Sequence, residues 1–200
     1  MTDSTETAYA EVDAKLVKAA LLIAAKKDIR VYLNGVYFDF PNGRLVATDG
    51  HVLLCAAIDR VDRPAIIVDR DVLEVAVKGK PEGNLSFGPD GLASLKTPCA
   101  LAFHPVDATY PAYERVIPTA LSGASGQFNP TILARAQKAL NTAYGAAVDQ
   151  LVHFASNGPE CAGLMTKCGL DALVVIMPWR ADTTASLDWY LQPPEIKAAP

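Results

Sequence analysis

Three times along this chain, a stretch with apolar residues at helical spacing is followed by short runs rich in β-branched and aromatic residues. That order of elements constrains the fold more than any single motif. Residues 9–12 read as a strand, and Asp13 is placed to cap a helix over residues 14–27. In it Leu16, Val17, Ala20, Leu21 and Ala24 share one face. Residues 31–40 then read as a strand, Pro41-Asn42-Gly43 as a hairpin turn, residues 44–48 as the returning strand and residues 51–58 as a third. The second round places a strand at 65–68 and a helix at 69–77, stopped by Gly79-Lys80-Pro81. Strands follow at 84–88, 91–97 and 100–103. Residues 110–118 should run extended between their prolines. After a small-residue linker at 121–126, Asn129 and Pro130 open a third helix with Ile132, Leu133, Ala136, Ala139 and Leu140 inward. Strands at 148–156, 160–167 and 173–178 complete the round. The repeat is roughly 55–60 residues. Crossover helices are missing between most strands, which excludes a doubly wound sheet and gives an α+β chain: antiparallel sheets with helices on one face. Residues 1–8 are polar and expected to fray. Residues 182–200 form a polar, proline-bearing tail carrying the cluster Leu187, Trp189, Tyr190 and Leu191.

Charge narrows the partners. Eighteen Lys and Arg against 22 Asp and Glu give a net charge of −4, which rules out a uniformly basic nucleic-acid coat but not a basic strip on an acidic body. The basic residues flanking the helical stripes are Lys15, Lys18, Lys26 and Lys27, then Arg70, Lys78 and Lys80, then Arg135 and Lys138. They form either a solvated face or a set of helices turned toward a polyanion. No apolar run reaches the ~18 residues of a membrane span, and the first residues lack the basic and apolar regions of a secretory leader. The expectation is a cytoplasmic chain with reduced thiols at Cys55, Cys99, Cys161 and Cys168, which show no CxxC pair.

Catalytic patterns are missing. The three histidines, His51, His104 and His153, fall in different rounds with no HxH or HxxxH spacing. There is no GxSxG, P-loop or GxGxxG. Asp49-Gly50-His51 could pair an acid with a base, but the pattern favours a turn histidine bonding locally. No catalytic residue, metal or cofactor is assigned.

Four of these segments carry a resemblance. Val31-Tyr32-Leu33-Asn34-Gly35-Val36 with Leu45-Val46-Ala47-Thr48-Asp49-Gly50-His51-Val52-Leu53 resembles the middle domain of the bacterial sliding clamp, the DNA polymerase III beta subunit. Tyr110-Pro111-Ala112-Tyr113-Glu114-Arg115-Val116-Ile117-Pro118 is similar to the segment closing that domain, and Val174-Val175-Ile176-Met177-Pro178-Trp179-Arg180 to the family's C-terminal strand. The resemblance spans roughly residues 9–181 and implies the DNA-clamp fold, with strand-helix-strand units, sheets outside and helices lining a ring around duplex DNA. It implies no enzyme but a polymerase processivity factor that contacts DNA without reading sequence. Lys15, Lys18, Lys26, Lys27, Arg70, Lys78, Arg135 and Lys138 would face the DNA. It further implies a pocket for short peptide motifs of polymerases and clamp loaders, formed by Leu33, Thr48, Gly50, His51, Val52, Leu53, Pro111, Arg115, Val116, Val175, Met177, Pro178, Trp179 and Arg180. Val52 stands where clamps often carry Arg, and Trp179 where they often carry Met, which implies an altered pocket mouth.

Clamp chains have three domains of two units each. This chain matches one complete domain at 9–118 and half a domain at 119–181, as in a shortened, phage-type member. Four such chains would supply the twelve units of a ring, and a dimer would supply a partial one, so a homo-oligomer is expected. The rival reading is a clamp mimic that binds replication proteins through the pocket without encircling DNA. The tail cluster at 187–191 is a candidate occupant of that pocket.

Overall fold

The computed structural model describes residues 10–78, 83–88, 95–96, 100–145 and 151–180. The expectations for residues 1–8, for the stop at 79–81 with Lys80, for most of the strand at 91–97, for Cys99, for residues 148–150 and for the tail lie outside these.

Strand β1 (Ala10–Asp13) leads directly into helix α1 (Ala14–Ile23), whose first turn is capped by the Asp13 carboxylate accepting from the Lys15 amide at 2.8 Å. The helix stops four residues before the expected Lys27. Ala24 turns extended at ψ 144°, and the Ala25 amide bonds the Leu33 carbonyl at 3.0 Å. The Asn34 side chain grips the Asp28 backbone from both sides at 2.8 Å. The chain therefore doubles back through Lys27, which takes a left-handed φ of 57°. That tether also replaces the first half of the strand expected at 31–40 with a 3-10 turn (Val31–Asn34), leaving β2 as Gly35–Asp39.

Strands β3 (Arg44–Thr48), β4 (Val52–Ala57) and β5 (Ile66–Asp69) follow, then α2 (Arg70–Ala76) and β6 (Asn84–Phe87), which pairs with β1. Two short strands, β7 (Leu95–Lys96) and β8 (Ala100–Leu101), pair with each other. The segment expected to run extended at 110–118 contains a 3-10 turn (Tyr113–Val116). Asn129 caps α3 (Pro130–Tyr144), and Gly145 closes it at φ 80°. Strands β9 (His153–Ala155), β10 (Gly163–Thr166) and β11 (Ala172–Ile176) are each shorter than the sequence pattern indicates.

Seven strands form one antiparallel sheet in the order β5-β2-β3-β4-β11-β10-β9. Its seam is β4 against β11, with Leu54 opposite Val174 and Leu53 opposite Val175. Alternation along the strands assigns the two faces. Phe38, Leu45, Ala47, Leu54 and Val174 join α1, α2 and α3 in the main core, while Tyr37, Val46, Leu53, Cys55 and Val175 join Tyr110 and Tyr113 in a second cluster on the opposite face. Cys55 is the core thiol among the described cysteines, for Cys161 and Cys168 are exposed. The segment expected to be a flexible linker at 121–126 is bonded to the loop after β9 through Gly123 N to Ser156 O at 3.1 Å and Gly158 N to Ala124 O at 2.9 Å. No helix among the described residues is long and apolar enough to cross a membrane.

Candidate functional site

A groove of about 220 Å³ opens where β3, β4 and β11 meet, on the sheet face away from the helices. Its floor is apolar: Leu33, Val52, Leu53, Val116, Val175 and Met177. Its rim is the turn between β3 and β4, and that turn is built by side chains bonding backbone. Thr48 Oγ1 donates to the Val52 carbonyl at 2.7 Å and accepts from the Gly50 amide at 3.0 Å. Asp49 Oδ1 accepts from the His51 and Val52 amides at 2.9 and 3.1 Å. Gly50 sits at φ +93°, a conformation that side-chain-bearing residues avoid. The Met177 amide bonds the His51 carbonyl at 2.9 Å, so the chain leaving β11 closes the groove against the turn. These caps delay the third strand from residue 51 to Val52 and leave His51 exposed on the rim.

Two further walls come from residues that the expected site omits, three of them inside the quoted motifs and Arg30 just before the first. Arg30 and Tyr32 precede Leu33, and Ala112 and Tyr113 follow Pro111, all lining the groove. The Arg30 guanidinium donates to both Asp28 oxygens at 3.0 and 2.9 Å, which holds that carboxyl down to about 2 and raises the arginine. The Tyr113 hydroxyl donates to the buried Asp39 at 2.9 Å, and Asn42 Nδ2 donates to both Asp39 oxygens at 3.0 Å. Burial, then the bond to Asp39, pushes the Tyr113 phenol above its usual range. Both tyrosines were findable, since each stands inside a segment already singled out. Their neighbours' alternation obscured them because each belongs to a 3-10 turn rather than a strand.

Of the expected pocket residues, Leu33, Thr48, Gly50, His51, Val52, Leu53, Pro111, Val116, Val175 and Met177 converge on this groove. Arg115, Pro178, Trp179 and Arg180 do not line it. Trp179, 62% exposed, and Arg180 line a separate groove with Gln127 and Glu160, because the Trp179 amide is drawn to the Gln127 carbonyl.

The basic residues divide in the same way. Lys15 and Lys138 are exposed on α1 and α3, Lys18 is half-buried on α1, and Lys78 is exposed just beyond α2. Lys26 and Lys27 are exposed but stand on the loop after α1 rather than on a helix. Arg70 is not available to a phosphate: it is buried, donating to the Ala24 carbonyl at 2.9 Å and to Glu74 at 2.7 Å. Packing of α2 against the end of α1 turns it inward. Arg135 is ion-paired with Asp49. His104 and His153 are exposed, and no cluster of three metal-binding side chains exists among the described residues.

No protein-family model matches the chain. Its sequence is 35% identical over 114 residues to the beta sliding clamp of Pseudomonas putida, covering 52% of this chain and 31% of that protein. It is 32% identical over the same span to the Pseudomonas aeruginosa clamp. About half of the chain is thus similar in sequence to the bacterial sliding clamps. It spans about a third of the length of these curated relatives. Among solved structures, the Thermotoga maritima DNA polymerase III beta subunit superposes with a TM-score of 0.67 at 17% identity, over 90% of this chain and 68% of that one. A Helicobacter pylori beta clamp bound to a DNA ligase peptide gives 0.68 at 13% identity, again over 90% and 68%. The clamp fold, α+β with antiparallel sheets and helices on one face, is thus this chain's fold.

Proposed function

We propose that this clamp-related chain binds short apolar peptide segments of replication proteins in the groove beneath the Thr48–Val52 turn, and that, assembled with further clamp units, it surrounds duplex DNA in the cytoplasm as a non-catalytic processivity factor. The observation carrying this reading is the convergence of ten expected pocket residues, from four separate stretches of sequence, on one groove with an apolar floor and a donor-bearing rim. Met177 supports it further, being an adaptable side chain between the floor and the outgoing chain. The DNA ligase peptide of the H. pylori clamp complex is the natural probe. Fluorescence anisotropy should show saturable binding, weakened more than about tenfold by Met177→Glu, whose charge would lie unpaired on an apolar floor. Binding unaffected by that substitution would place the peptide elsewhere.

The second reading, a mimic that engages peptides without encircling DNA, is favoured by one observation: Arg70 is buried and Arg135 is already paired, which thins the positive face expected of the helices. Retention on covalently closed circular DNA, lost when the circle is cut, would separate the two. Retention supports the ring, and its failure in a peptide-binding preparation supports the mimic. Light scattering on the same sample gives the number of copies, for which a dimer or tetramer is the expectation.

A further inference from the structure

The turn from Thr48 to Val52 touches both layers of the molecule, and a single carboxylate joins them. Gly50 and His51 form the groove rim on one side of the sheet. Asp49 points to the other side. While its Oδ1 accepts from the His51 and Val52 amides, its Oδ2 is ion-paired with the Arg135 guanidinium on α3, 86 positions away in sequence. Both partners are partly shielded from water, with side chains 17% and 34% exposed, so the attraction is stronger than that of a solvated surface pair. Arg30, whose guanidinium also lies beside Gly50, is bonded twice to Asp28. A glycine at φ +93° gives the turn many alternative conformations, and the capped, anchored carboxylate selects one of them.

We propose that Arg135 is a positioning residue for the groove: through Asp49 it fixes Gly50 and His51 where they form the rim. This rests on the peptide-binding reading for its ligand, while the mechanical link stands on the geometry of the turn and helix. It reassigns a residue that the resemblance groups with the DNA-facing charges. An anion that captured Arg135 would release Asp49 and loosen the rim. By linkage, a peptide seated on the rim would weaken that anion's hold by the same factor.

The test combines amide hydrogen exchange on the free protein with anisotropy using the labelled DNA ligase peptide. In Arg135→Gln, exchange at His51 and Val52 should rise about fivefold or more, peptide affinity should fall by a similar factor, and exchange in α3 around Leu140 should stay unchanged. Arg135→Lys, which keeps the charge, should recover most of both effects. Unchanged exchange at His51 and Val52 would overturn the proposal. So would faster exchange with undiminished affinity, since Arg135 would then be a structural residue only. If the wild-type protein fails to bind the peptide, the peptide-binding reading fails, and the exchange arm still decides whether Arg135 holds the turn.

Discussion

Tyr110 and Tyr113 stand three positions apart in one segment and are both buried, yet their hydroxyls meet different surroundings. Tyr113 donates to Asp39, whereas the Tyr110 hydroxyl has no hydrogen-bond partner and its ring stacks on Tyr37 at 4.5 Å. Tyr113→Phe should therefore lower stability by about 1–3 kcal/mol, because a buried carboxylate loses a donor, while Tyr110→Phe should be neutral or stabilising. Urea unfolding of the two variants checks this. The same burial raises both phenols, and it lifts the Cys55 thiol to about 11. Each group holds its proton more tightly folded than unfolded. Their stabilising contribution is thus complete below the unfolded values of roughly 9 to 10 and is lost as pH rises through the folded ones. Melting temperature should hold steady to about pH 8.5 and fall steadily above it, less steeply in Tyr110→Phe. A flat profile to pH 11 would contradict this assignment. At this scale the sequence discloses residue types but not partners. Nothing in the spacing of Asp39, Asn42 and Tyr113 announces that a hairpin carboxylate would hold the wall of a groove.

Where elements begin and end, local chemistry outranks periodicity. The stripe of α1 continues through Ala24, so the sequence pattern extends the helix to Lys27. Asn34 and Asp28 end it earlier, by offering the backbone side-chain partners that a helix cannot supply. Caps are the readable exceptions: Asp13, Asn129 with Pro130, and the Asn42-Gly43 turn all stand where residue type alone puts them, because their preferences arise within a few residues. Gly35 is the opposite case, a glycine whose reason lies on another strand. A Cβ there would fall 2.6 Å from the Val68 carbonyl oxygen and 2.8 Å from an Ile67 methyl, on the β2–β5 pairing. Gly35→Ala should therefore separate β5 from β2 and cost about 3 kcal/mol or more, with lost amide protection concentrated at residues 66–69. Loss spread evenly over the sheet would instead indicate general destabilisation.

For the molecule as a whole, the repeat of strands and helices was visible in sequence, but the joining of its first and third rounds was not. Period-2 patterns specify which face a strand buries, not which strand lies beside it. Each of Val52–Ala57 and Ala172–Ile176 reads simply as a buried run. The groove floor is split across that seam, with Leu53 on one side and Val175 on the other, so its existence could be inferred only through resemblance. Val174, fully buried opposite Leu54, tests the joint. Val174→Asp should reduce stability by more than about 4 kcal/mol by burying an unpaired charge, and peptide binding should vanish with it. A stable, peptide-binding variant would show that the seam is not what forms the groove.

That seam also has a consequence in time. Its partners, Leu54 and Val174, are separated by about 120 positions, and at cellular rates of roughly 5–20 residues per second β11 follows β4 out of the ribosome only after on the order of ten seconds. Until then β4 has a bare hydrogen-bonding edge and half an apolar floor, the kind of surface that invites association with other chains. Among the described elements the groove is therefore completed only once β11 has emerged, and a nascent chain lacks it until its own synthesis has brought the two halves together.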